Sequence, residues 1–123
     1  MFKMGGDFLQ LFLNSIDENL IVKFKGELDH HGSEMAREKI DEWYYNKFNK
    51  NIIFDLRELG FMDSSGIGLV MARYKMCNDN GGKVLIVNDN PNIQRILSMS
   101  GILKIIDVYK SVDSALKNSI REW

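Results

Sequence analysis

The sequence predicts an α/β fold: a mixed, mostly parallel sheet that opens with an antiparallel hairpin, in the element order ββαβαβαβα. Three observations carry this prediction. Two short apolar runs rich in β-branched residues, NIIFDL (51–56) and KVLIVN (83–88), have the pattern of strands buried on both faces. The segments that separate and follow them repeat apolar residues at helical spacing. The start of the chain alternates with period two instead.

In chain order, Leu9, Leu11 and Leu13 alternate with Gln10, Phe12 and Asn14, and after the polar turn DEN the residues Leu20, Val22 and Phe24 alternate with Ile21, Lys23 and Lys25. These are the two strands of a hairpin. Ser33 is the expected N-cap of a first helix in which Ala36, Ile40, Trp43 and Tyr44 face inward and Glu34, Arg37, Glu38 and Asp41 face solvent. The central strand 51–56 follows, then a helix opened by DSSG (63–66), with Ile67, Met71 and Tyr74 on its apolar stripe and DNGG (79–82) as its terminator. This spacing places Met71 in the core, leaves Arg73 and Lys75 on a solvated face, and makes the segment a crossover between parallel strands. After the second central strand, Asn90 and Pro91 start a helix with Ile93, Ile96 and Leu97 inward, and Gly101 closes it. KIIDVY (104–109) reads as a further strand, and Ser111 opens a last helix carrying Val112, Ala115, Leu116 and Ile120.

Composition excludes several classes of function. At 123 residues the chain is the size of one domain and can bury a core without disulfides or a structural metal. A formal net charge of -1 offers no electrostatic reason for a nucleic-acid or anionic-membrane partner. No apolar run approaches the ~18 residues of a membrane span, and FLQLFLNSI is interrupted by Gln10 and Asn14, so it reads as a strand and not as a leader. The single cysteine, Cys77, cannot form an internal disulfide, which suits a reducing, cytoplasmic compartment.

The stretch FMDSSGIGLVMARYK (61–75) carries the chemistry. Asp63 is an ordinary helix cap, but capping leaves Ser64 and Ser65 unexplained, and it leaves Gly66 and Gly68 inside a helix where each glycine costs about 1 kcal/mol relative to alanine. Something is therefore expected to pack or dock closely there. A serine in the first turn is well placed to carry a phosphate, because free amides and the helix dipole favour an anion. The added charge of about -1.5 to -2 then changes the surface rather than the fold.

GELDHH (26–31), FMDSSGIGLVMARYK (61–75) and MSGILKII (99–106), in this order and spacing, resemble the anti-sigma factor antagonists of the STAS domain family, most nearly those of sporulation. The resemblance covers nearly all of 1–123 as a single STAS domain, with MFKMGG (1–6) left as a loose arm. It implies a STAS fold and a protein that is a ligand and substrate, not an enzyme. In such proteins the unphosphorylated form binds an anti-sigma factor that is also a serine kinase, and the sigma factor, here sigma-F, is released. Phosphorylation by that kinase dissociates the pair, and a metal-dependent serine phosphatase restores it. ATP and metal thus belong to the partners, and no cofactor is expected on this chain. The resemblance places the phosphate on Ser64 and the partner surface on Asp29, His30, His31, Asp63, Ser64, Ser65 and Gly66.

Asp29 reads equally as a cap before the first helix. His30 and His31, with only the distant Cys77, do not make a zinc pattern. Three alternatives differ in class or pathway. A serine hydrolase could draw on Asp29, His30, His31 and Ser64, but the G-x-S-x-G elbow is missing. A phospho-aspartate receiver could use Asp55, but the acid pair that would hold its cation is missing. A STAS module of a stress-response or other sigma-factor pathway would keep the same serine switch.

Overall fold

The computed structural model describes residues 2–4 and 9–119. Strands β1 (Phe2–Met4), β2 (Leu9–Ile16) and β3 (Asn19–Leu28) lead to helix α1 (His30–Asn46). Then come β4 (Asn51–Met62), α2 (Ser64–Asp79), β5 (Val84–Val87), α3 (Pro91–Ser100), a 3-10 turn (Ile102–Lys104), β6 (Val108–Tyr109) and α4 (Val112–Asn118). The strands make one sheet in the spatial order β1-β2-β3-β4-β5-β6. The first three pair antiparallel and the rest parallel. The α/β fold and the hairpin are as expected, including the strands at 51–56 and 84–87, which are buried throughout.

The pleat explains how the core divides. Leu20, Val22 and Phe24 of β3 and Ile52, Phe54 and Leu56 of β4 point to one face, where Ala36 and Ile40 of α1, Leu69 and Val70 of α2, and Ile93 and Leu97 of α3 close over them. Their neighbours Ile21 and Ile53 point to the other face and join Leu85, Val87 and Ala115 of α4. The two central strands are apolar on both faces because helices cover both.

Five expectations need correction. The first helix begins at His30 with Asp29 as its N-cap, and Ser33 lies inside it, buried. The buried face of α2 is Gly66, Leu69, Val70, Arg73 and Cys77, so Met71 is exposed and Arg73 is not solvated. Asp41 is turned toward Arg73 instead of free in solvent. The strand expected over 104–109 is confined to Val108–Tyr109, because Gly101 at φ 83 starts a tight turn whose bonds run from Lys104 N to Gly101 O and from Ile105 N to Ile102 O. Within the arm expected over 1–6, Phe2–Met4 pair with Leu9–Leu11 as an edge strand; Met1, Gly5 and Gly6 lie outside the described residues, as does Ile120.

Candidate functional site at the paired helix N-termini

Two parallel strands that end side by side build the site. Register shifts between Lys23 and Lys25 and between Gly26 and Glu27 each fit one extra residue into β4, and beyond them Leu28 lies opposite Met62. Both strands therefore stop at the same level, and the Asp63 amide donates to Leu28 O at 3.3 Å. Each then turns into a helix through the same four-residue pattern, Asp29-His30-His31-Gly32 and Asp63-Ser64-Ser65-Gly66.

The pattern is physical. The aspartate caps the helix and the glycine three residues later presents its amide to the carboxylate: Gly32 N donates to Asp29 Oδ1 at 2.8 Å, and Ser65 N and Gly66 N donate to Asp63 Oδ1 at 2.9 and 3.3 Å. Space favours glycine as well. A Cβ on Gly32 would stand 3.0 Å from Leu9 Cδ2, and one on Gly66 would stand 2.9 Å from Met62 Cγ and 3.1 Å from Leu28 Cδ2. The close packing expected around the glycines is thus met at Gly66, against the core. Beyond its own chain neighbours and the nearby backbone of α2, nothing among the described residues lies within 4 Å of the corresponding point on Gly68.

The two serines differ. Ser64, the first residue of α2, is exposed, and among the described residues nothing pairs with its hydroxyl. Ser65 is half-buried, and its Oγ lies 3.3 Å from His30 Nδ1. The other ring nitrogen of His30 lies 3.3 Å from Glu34 Oε1, so the imidazole bridges α1 and α2 at the surface. His31 is exposed and joins none of these bonds. Asp29, His30, Asp63, Ser64, Ser65 and Gly66 are thereby brought to one corner.

Neither catalytic alternative gains from this arrangement. His30 meets Ser65 rather than Ser64, and Asp29 is committed to its own helix cap. Asp55 is 2% exposed and held by both arms of Arg57, Nε to Oδ1 at 2.9 Å and Nη2 to Oδ2 at 2.8 Å.

One ion pair behind the corner was not legible in the chain. Arg73 of α2 is 8% exposed and faces Asp41 of α1, with Nε 3.2 Å from Oδ1 and Nη2 3.4 Å from Oδ2. Burial pushes the Asp41 carboxyl above its ordinary value, opposed by the pull of Arg73 and then Arg37. The repeated Asp-x-x-Gly was the signal available in the sequence for the paired junctions; no local signal marks the Asp41–Arg73 pair, whose members lie 32 residues apart.

Comparison with known proteins agrees with this geometry. Residues 12–115 match the STAS domain. The anti-sigma F factor antagonist of Paenibacillus polymyxa is 43% identical over 97 residues, which cover 79% of this chain and 83% of that protein. The anti-sigma factor antagonist SpoIIAA in its unphosphorylated form aligns with a TM-score of 0.71 at 25% identity, over 89% of this chain and 96% of the other. The Bacillus cell fate determinant SpoIIAA in its phosphorylated form aligns with a TM-score of 0.70 at 28% identity, over 89% and 98%. With the sheet order, the paired strand-to-helix junctions and these matches in agreement, the chain belongs to the STAS domain family.

Proposed function

We propose that this protein is an anti-sigma factor antagonist of the sigma-F, sporulation type. Its unphosphorylated form binds an anti-sigma factor serine kinase at the paired helix N-termini, and phosphorylation of Ser64 switches it off. The observation that carries this reading is the difference between the two serines. Ser64 offers a free, exposed hydroxyl at the first position of α2, whereas the Ser65 hydroxyl is engaged by His30. The relative named an anti-sigma F factor antagonist and the neighbour solved in unphosphorylated and phosphorylated forms support it.

The cap geometry says how a phosphate would act. Asp63 already occupies the amides of Ser65 and Gly66, so those donors do not neutralise a phosphate on Ser64. Its charge of about -1.5 to -2 stays directed at the partner. An acid about 5 Å away on the partner is then repelled by about 3 kcal/mol per charge pair at an effective dielectric of 20, more than a hundredfold in affinity. In this reading the protein is a cytoplasmic substrate and ligand. The kinase supplies ATP, and a serine phosphatase resets the switch.

The test is mass spectrometry of the protein after incubation with ATP and the anti-sigma kinase of its own host. One phosphate on the Ser64 peptide, absent in Ser64→Ala, is expected, together with tight binding of Ser64→Ala and weak binding of folded Ser64→Asp. Phosphate on Ser65 instead would overturn the assignment. Capture of a different sigma pathway's kinase would keep the switch and move the protein to another regulon.

A further inference from the structure

Helices α1 and α2 do not close on each other behind the Ser64 corner. A cleft of about 310 Å³ opens between them, walled by Ser33 and Arg37 on one side and by Gly68, Leu69 and Arg73 on the other, with Ser65 at one end. Three of its features are incompletely used within the isolated fold. Ser33 is 6% exposed, yet its Oγ has no hydrogen-bond partner, an arrangement that folded proteins rarely leave unfilled. Arg73 Nε is equally buried; it lies 3.2 Å from Asp41 Oδ1 as an ion pair but without the alignment of a hydrogen bond, so this N–H, like Asp41 Oδ1 itself, is left without a hydrogen-bond partner. Gly68 weakens the helix relative to alanine, and unlike Gly66 it has empty space where a side chain would go.

The charges lining the cleft are unequal. Asp41 faces Arg73, and Glu34 reaches out to His30 at 3.3 Å. Arg37 is exposed on the rim; it pulls on Asp41 one helical turn away but makes no close ion pair among the described residues. What remains is a hydroxyl without a partner, a guanidinium N–H that is only loosely matched to Asp41, and an exposed cation on the rim, around an apolar wall of Gly68 and Leu69. These groups suit a short aliphatic stem that ends in an acceptor of negative charge.

We propose that this cleft receives an aspartate or glutamate side chain of the anti-sigma partner. Its carboxylate accepts from Ser33 Oγ and Arg73 Nε and is drawn in by Arg37, while its methylenes lie on Gly68 and Leu69. The inference rests on the reading of the protein as an anti-sigma factor antagonist and deepens it. Ser65 belongs to both the corner and the cleft, so a phosphate on Ser64 is placed near the anchoring carboxylate and expels it by like-charge repulsion.

The experiment is titration calorimetry of the full chain against the anti-sigma factor of its own host at two salt concentrations, with circular dichroism to confirm folding. Gly68→Leu should fold, because its side chain enters open space, and should lower affinity at least tenfold by filling the cleft. Arg37→Glu, an exposed substitution that keeps the test decisive if the leucine variant melts early, should cost at least tenfold at low salt and much less at high salt. If the wild type binds and both folded variants bind within twofold of it, the cleft carries no anchor and the inference is wrong. If Arg37→Glu loses nothing while Gly68→Leu loses binding, the anchor is not an acid, and the proposal as stated fails. A wild type that binds no anti-sigma factor overturns the antagonist reading itself, and the inference with it.

Discussion

The carboxylate of Asp63 accepts from the amides of Ser65 and Gly66 at 2.9 and 3.3 Å, and Asp63→Ala leaves both uncovered at the start of α2. A stability loss of about 1 kcal/mol is expected by urea denaturation, with Asp63→Asn retaining most of it. Asp63→Ala also frees those amides for an anion. Phosphorylation of Ser64 should therefore raise the melting temperature of Asp63→Ala more than that of the wild type, where the cap already occupies the donors. Equal shifts would show that a phosphate at Ser64 does not reach them. Asp63 was legible as a cap because an acid directly before a helical run has few other local uses. The same reasoning misplaced the start of α1 at Ser33, since Asp29 and Ser33 are both capping residue types before one apolar pattern. The choice between them is made by the Leu28–Met62 register of two strands distant in sequence, which no local preference encodes. Arg73 was misread for a similar reason: a lone charge among helix residues reads as solvated, and its partner Asp41 is visible only once α1 and α2 lie side by side.

Helix α2 holds two glycines that should respond to the same substitution with opposite signs. Gly66→Ala gains about 1 kcal/mol of helix propensity, but it drives a Cβ to 2.9 Å from Met62 Cγ and 3.1 Å from Leu28 Cδ2. Overpacking of this kind costs roughly 1–3 kcal/mol, so a net destabilisation of about 1 kcal/mol is expected. Gly68→Ala meets nothing within 4 Å among the described residues beyond its chain neighbours and the nearby backbone of α2, and should stabilise by about 1 kcal/mol. Denaturant midpoints of the two variants decide it, and a gain at both would mean that the contacts around Gly66 relax freely. The helix itself and its limits were readable from period and punctuation, but its orientation was not. Ile67, Met71 and Tyr74 form a tempting stripe, whereas the buried face runs through Gly66, Leu69, Val70, Arg73 and Cys77. A glycine pressed on the sheet and an arginine paired inside do not count as apolar, so they rotate the true face out of view. At the other end of the chain, β-branched residues suggested a strand where Ile102 and Ile106 are both buried around a 3-10 turn, and burial alone does not tell the two apart.

Across the whole molecule, the order of elements was legible because each short segment carries its own period, while the three-residue strand Phe2–Met4 is too brief to show one. The loop before β4 carries no signal in the sequence and DNGG before β5 reads only as a terminator, yet these two segments tie the molecule together. Lys50 O accepts from the Tyr44 hydroxyl of α1 at 2.8 Å, Lys50 N donates to Glu18 O in the β2–β3 turn at 2.9 Å, and Gly82 N donates to Cys77 O of α2 at 2.7 Å. A Cβ on Gly82 would stand 1.9 Å from Lys50 O, so Gly82→Ala must push apart backbone segments that anchor three elements at once. We expect a loss of at least about 2 kcal/mol, well above an ordinary surface change. Cys77 reports on it. The thiol is fully buried, and burial pushes it up from 9.0 to about 11. At pH 8 it is therefore both inaccessible and only about one part in a thousand thiolate, and modification must wait for the fold to open. Because the folded value lies above the unfolded one, the stability linked to this thiol is complete below about pH 9 and is lost as pH rises toward about 11. Labelling by an aromatic disulfide reagent at pH 8 should be slow in the native protein and about 30-fold faster in Gly82→Ala, the population change that about 2 kcal/mol produces when opening precedes reaction. Rapid labelling of the folded wild type would mean that Cys77 is exposed by local motion of α2 alone, and the thiol would then not measure the stability of the whole.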